Sequence, residues 1–209
     1  LSLHDALPIW GAQVYSGVRH SSRMFVMGIL SETLALAQER ARAANLPYAG
    51  ALTPREAWEV LQAAGGSARL VDVRTRAEAM YVGMPTPVDA LVPYMEHPEL
   101  MSDWDEQRSA YQLLPNSDFV SEADRRLKAK GLARNDRVIL ICRSGDRSAR
   151  AADLLANAGY TRVYSVVEGF EGDAAKDGPK AGQRVVNGWK NAGLPWSYKL
   201  DKAKMYFPR

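Results

Sequence analysis

The chain has 209 residues, 46% hydrophobic and 24% charged, proportions of an ordinary globular domain that exclude fibrous and disordered classes. Its net charge of +3 is too small to imply nucleic acid unless the charge clusters, and its single cysteine, Cys142, excludes an intrachain disulfide framework of the secreted kind. His4, His20 and His97 lack ligand spacing, so no metal site is expected, and no apolar run approaches the roughly 18 residues of a membrane span.

In chain order, Leu1-Ser2-Leu3-His4-Asp5-Ala6-Leu7-Pro8-Ile9 resembles a translated adapter read. Residues 1–23 are therefore expected to be a non-native or disordered segment, with Met24 or Met27 as the start. Arg19, His20 and Arg23 ahead of the apolar run 24–30 imitate a signal peptide, but Glu32 interrupts it, and a cytoplasmic location is expected. Leu34, Ala37, Ala41 and Ala44 recur at helical spacing, predicting a helix over 32–44. Thr53-Pro54-Arg55-Glu56 reads as a capping box that opens a helix over 54–64, with Trp58, Leu61 and Ala64 as its buried stripe. Leu70-Val71-Asp72-Val73 reads as a buried parallel strand delivering an acid near its end. Residues 88–116 carry Glu96, Glu99, Asp103, Asp105 and Glu106 and read as an acidic, solvated surface excursion. Asn116 then caps a helix over roughly 117–130, with Phe119, Ala123 and Leu127 inward.

The clearest central strand is 137–141. It runs into Cys142-Arg143-Ser144-Gly145-Asp146-Arg147-Ser148, and then into a helix over 147–158 with Ala151, Leu154, Leu155 and Ala158 on one face. A further strand covers 162–167, and the basic, aromatic stretch 175–209 is expected to fold back on the core. Strands alternating with helices at these lengths imply an α/β fold: a three-layer α/β/α sandwich on a central parallel sheet, joined by right-handed crossovers.

Placement carries the chemistry. Ligands of an open α/β sheet bind beyond the strand C-termini, where a loop and helix N-terminus offer free amides and a positive dipole end. A thiol there has its thiolate stabilised by those amides and by Arg143 and Arg147, so Cys142 is expected to be nucleophilic. Asp146 falls where the helix dipole favours an acid.

The loop Cys142-Arg143-Ser144-Gly145-Asp146-Arg147 resembles the Cys-Arg-x-Gly-x-Arg loop of rhodanese-like sulfurtransferases. Asp72-Val73-Arg74, with Glu78 downstream, and Glu168-Gly169-Phe170-Glu171-Gly172 resemble two further family motifs. The stretch Asn187-Gly188-Trp189-Lys190-Asn191-Ala192-Gly193-Leu194-Pro195-Trp196 is similar to the end of a bacterial single-domain subgroup. Where many members read Gly-His-Ile-Pro-Gly-Ala, this chain has Gly83-Met84-Pro85-Thr86-Pro87. The resemblance implies a rhodanese-like domain over 49–198, preceded by an N-terminal helix within 24–48 and followed by a tail, 199–209, packed on it. It further implies an enzyme that takes sulfane sulfur from a small anionic donor such as thiosulfate onto Cys142 as a persulfide. The sulfur would pass to cyanide, a thiol or a sulfur-accepting protein, without metal or organic cofactor, nucleic acid or membrane. Arg143, Ser144, Gly145, Asp146, Arg147 and Ser148 would bind substrate around Cys142, and Asp72 and Arg74 would brace the loop from the neighbouring strand.

Two other functions start from the same loop. A non-catalytic sulfur-relay or interaction module would keep Cys142, with 96–106 and 175–209 as docking surfaces. A cysteine phosphatase or arsenate reductase needs five residues between Cys and Arg to wrap a tetrahedral oxyanion. Here Arg147 comes one position early and Ser148 stands in its place, so the shorter loop suits a single sulfur atom.

Overall fold

The computed structural model describes residues 12–98, 100 and 103–208, and the expectation for residues 1–11 lies outside it. The elements are, in order, α1 (Ala12–Ala43), β1 (Gly50–Leu52), α2 (Pro54–Ala64), β2 (Ala68–Asp72), α3 (Arg76–Val82), β3 (Met84–Pro85) and β4 (Val88–Leu91). The ribbons β5 (Met95–Glu96), β6 (Trp104–Asp105), β7 (Ala110–Tyr111) and β8 (Leu114–Pro115) follow. The chain continues with α4 (Phe119–Ala129), β9 (Arg137–Ile141), α5 (Asp146–Asn157), β10 (Val163–Val166) and β11 (Trp196–Ser197).

The central sheet is parallel, in the order β1-β10-β9-β2-β4. Its strands are buried on both faces, which is why 137–141 is apolar without interruption after Arg137. Alternation along β9 sends Ile139 and Ile141 into the core layer shared with α1 and α2. Val138, Leu140 and the next residue, Cys142, enter the layer shared with α4 and α5. The thiol thus starts from the α5 side of the sheet.

The helices form for local reasons that the sequence shows, with some displaced boundaries. The Thr53 capping box is present, but the deepest residues of α2 are Pro54, Ala57 and Val60, with Trp58, Leu61 and Ala64 packed at the flank. Trp58 meets Trp189 edge to face, with ring centroids 6.1 Å apart, and Trp189 is fully buried. Truncating such a side chain to Ala costs about 3–5 kcal/mol. The helix expected over 32–44 extends back to Ala12, because no proline interrupts 12–43. Asn116 does not cap α4. Asp118 holds the N-cap position, while Asn116 accepts from the Asp118 amide and donates to the Pro93 carbonyl, fixing the turn ahead of the helix. Phe119, Ala123 and Leu127 point inward as expected. On α5, Leu154 is exposed and Ala152 is buried in its stead, since the inward face is set by Ser148, Ala151, Ala152 and Leu155.

Residues 88–116 are not merely a solvated excursion. Their first four residues are the edge strand β4, and β5 with β8 and β6 with β7 form two short antiparallel ribbons, an arm reaching back toward the sheet's C-terminal end. Arg76 anchors the arm's base, donating through its amide and its guanidinium to Glu96 at 3.0 Å. The C-terminal stretch does return to the core: β11 pairs with β3, and Arg126 of α4 donates to the Lys204 and Met205 carbonyls.

Candidate active site

Cys142 is the first residue past β9 and is 1% exposed. Its Sγ accepts the Gly145 amide at 3.1 Å and the Ser148 hydroxyl at 3.4 Å. No side chain caps α5, whose N-cap residue is Gly145, so that amide is free to serve the sulfur. Gly145 is required twice over. Its φ is +107°, and a Cβ there would fall on the Val167 carbonyl. The outer face of the loop is held by the turn after β10: the Phe170 amide donates to the Cys142 carbonyl at 2.7 Å, and the Glu171 and Gly172 amides donate to the Arg143 carbonyl.

Asp72 and Arg74 stand behind this frame. They form a fully buried ion pair at 2.6 Å, Arg74 also donates to the Gly83 carbonyl, and its guanidinium lies 4.1 Å from the Phe170 ring centroid. They do not line the cavity beside Cys142; Arg74 meets Phe170, whose amide donates to the Cys142 carbonyl.

Arg147 lines the same cavity as Cys142. Its guanidinium is paired there, gripping Glu78 in a fork at 2.6 and 2.7 Å. Thr75 and Glu78 form a capping box that opens α3 and aims Glu78 at Arg147. Burial alone would push the Glu78 carboxyl up, but hydrogen bonds and charge from Arg147, the Thr75 amide and the nearby Arg74 outweigh it and hold it at about 2. Burial lowers and Glu78 raises the Arg147 guanidinium, with a net rise. The cations left at the mouth are Arg143 and Arg150, both exposed and without an ion pair among the described residues.

Cys142, Arg143, Ser144 and Asp146 form one wall of a cavity of about 610 Å3, and the arm forms the other with Met95, His97, Arg108 and Tyr111. Arg108 pairs with Asp105 at 3.7 Å, and Trp104 packs edge to face on Tyr111 at 5.3 Å. Ser148 lies beneath this surface, fully buried, touching the sulfur from behind. The sequence reading missed the arm's residues. It had Glu78 only as a motif neighbour, although Thr75-x-x-Glu78 is itself a capping-box signal for α3. The arrangement can hold an anionic sulfur species at Cys142 by amide and hydroxyl donors, with cations at the entrance.

Comparison with known proteins follows the same lines. Residues 53–176 match the family described as the rhodanese-like domain. The chain is 34% identical to a protein whose structure is described as the crystal structure of Rv0390 from M. tuberculosis, with a TM-score of 0.54 over 73% of this chain and 99% of that one. It is 29% identical over 134 residues to the uncharacterized RP600 homolog of Rickettsia rickettsii, covering 63% of this chain and 85% of the relative. With the uncharacterized protein RC0915 of Rickettsia conorii it shares 30% identity over 132 residues, with the same coverage of each.

Proposed function

The chain belongs to the family of rhodanese-like domains, and on that premise we propose that it is a sulfurtransferase whose nucleophile is Cys142. One observation carries the reading: the Cys142 sulfur sits at the unfilled N-terminus of α5 and accepts the Gly145 amide at 3.1 Å, within a loop that only a glycine at 145 can close. In the first step the Cys142 thiolate attacks the outer sulfur of a donor such as thiosulfate. A new S–S bond forms, the donor's S–S bond breaks, and sulfite leaves with the electron pair. The Gly145 amide and Ser148 hydroxyl hold the persulfide's inner sulfur, and Arg143 meets the anion as it enters and leaves. In the second step an acceptor, cyanide or a thiol, attacks the outer sulfur and the Cys142 thiolate is the leaving group. No cofactor takes part in either step.

A bulkier acceptor than cyanide, such as a protein thiol, is favoured by the cavity: about 610 Å3 is a volume for a drug-sized ligand, not for a two-atom anion. Such chemistry suits a reducing, cytoplasmic setting, and no helix among the described residues is long and apolar enough to cross a membrane.

The test is intact-protein mass spectrometry after thiosulfate exposure, with and without cyanide, on the wild type and Cys142→Ala. The wild type alone should gain one sulfur and release it to cyanide as thiocyanate. A gain on Cys142→Ala as well, or none on the wild type, refutes thiosulfate sulfur transfer through this residue.

A further inference from the structure

The Ser148 hydroxyl is the only side chain hydrogen-bonded to the Cys142 sulfur among the described residues, and what lies behind it is as ordered as the loop in front. Ser148 has one proton and two acceptors for it, the Gly145 carbonyl at 2.9 Å and the Cys142 Sγ at 3.4 Å. Ser165, the third residue of β10 and 1% exposed, donates to the Ser148 oxygen at 2.9 Å. That donation leaves the Ser148 proton pointing toward its own two acceptors. Ser165 and Ser148 thus place two hydroxyls in series, from β10 to the first turn of α5, donating toward the sulfur.

We infer that Ser165 is a positioning residue which, through Ser148, favours the negatively charged forms of the Cys142 sulfur. The inference rests on the sulfurtransferase reading only for what the charged sulfur is used for. With a neutral thiol, the Ser148 proton goes to the nearer Gly145 carbonyl. As charge develops on Cys142, a charge-assisted bond to the sulfur becomes the stronger choice, and the Ser165 hydroxyl behind it polarises that of Ser148. Among charged side chains, Arg147 also feels the sulfur's charge, but its guanidinium is held on Glu78 and makes no hydrogen bond to Sγ. Ser165 itself touches neither the sulfur nor the cavity.

The experiment uses the full chain at pH 7 and reads two properties independent of any sulfur donor: the thiolate absorbance near 240 nm, referenced to Cys142→Ala, and the rate of alkylation by iodoacetamide. Ser165→Ala should lower the thiolate absorbance and slow alkylation about fivefold, the scale of one hydrogen bond's net contribution. Ser165→Thr, which keeps the hydroxyl, should leave both readouts at the wild-type level. Wild-type absorbance and alkylation in Ser165→Ala would overturn the inference, as would slowed alkylation with an unchanged thiolate signal, the mark of a merely altered entrance. If Ser165→Ala does not fold, Ser148→Ala decides by the same two signals, and an unchanged thiolate there overturns the inference too. Sulfur loading from thiosulfate is measured alongside: a wild type that shows the thiolate but takes up no sulfur refutes the sulfurtransferase reading and leaves the hydroxyl series standing.

Discussion

Glu78→Gln tests the ion pair that the sequence did not show. The Glu78 and Arg147 side chains are 18% and 15% exposed, so solvent screens their fork only weakly. The Glu78 carboxyl is held at about 2, against an ordinary 4.5. A carboxylate depressed by folding stabilises the native state above its unfolded pKa and stops doing so as pH falls through the folded value. The window for Glu78 is therefore from about pH 4.5 down to about pH 2. At about 1.4 kcal/mol per unit, its ionisation contributes about 3 kcal/mol at pH 7 and about 1 kcal/mol at pH 3. Glutamine mimics the protonated acid, so urea unfolding of wild type and Glu78→Gln should differ by about 3 kcal/mol at pH 7, narrowing to about 1 kcal/mol at pH 3. The other carboxylates titrate in both proteins and cancel in the difference. A gap that stays constant from pH 7 to pH 3 would refute the electrostatic account and assign the loss to packing. No gap at pH 7 would mean that the fork's attraction only offsets the cost of burying it.

Gly145→Ala meets both a left-handed backbone and the Val167 carbonyl, and should cost at least about 2 kcal/mol, lowering Tm by roughly 4–8 °C in a calorimetric scan; an unshifted Tm would show that the loop relaxes freely. Phe170→Leu withdraws the ring beneath the fully buried Arg74 and should lower stability in urea by about 2 kcal/mol or more, from lost cation–π attraction and packing together. A change below about 0.5 kcal/mol would remove Phe170 as the link between the Asp72–Arg74 pair and the loop. Trp104→Ala loosens the arm opposite Cys142 and should raise KM several-fold for a bulky thiol acceptor while leaving KM for cyanide unchanged. An equal change for both acceptors would show that the arm does not meet the acceptor.

What could be read in advance followed periodicity and local chemistry. β9, the Cys142 loop and α5 lie consecutively, and an apolar strand, a Gly-containing loop and a helical face each leave a mark within a few residues. The capping box of α2 is equally local. β1 has three residues and β4 reads Val-Asp-Ala-Leu, too short and too mixed to show a period, and Asp89 is tolerated there because its carboxylate accepts the Leu70 amide from the neighbouring strand. The site's long-range partners were hidden for a different reason. Glu78 meets Arg147, and Ser165 meets Ser148, only because β2, β9 and β10 lie side by side, and no spacing in the sequence encodes which strands are neighbours. The arm was misread because its acids suggested solvation, whereas Glu96 and Asp105 are occupied by Arg76 and Arg108.

The strand order has a consequence for how the chain reaches this state. β1 pairs with β10, Gly50 opposite Tyr164, and β2, though it meets β4 soon after, must wait for β9 on its other side. During synthesis β1 and that side of β2 emerge well before their partners, so these edges stay open while much of the domain is still to be made. Completion of the sheet and creation of the nucleophile's loop are then nearly one event. Cys142 leaves β9 as that strand closes the centre, and the turn after β10 locks the loop from outside. A partly made chain carries no assembled thiol cradle, so reactivity arrives only with the finished fold.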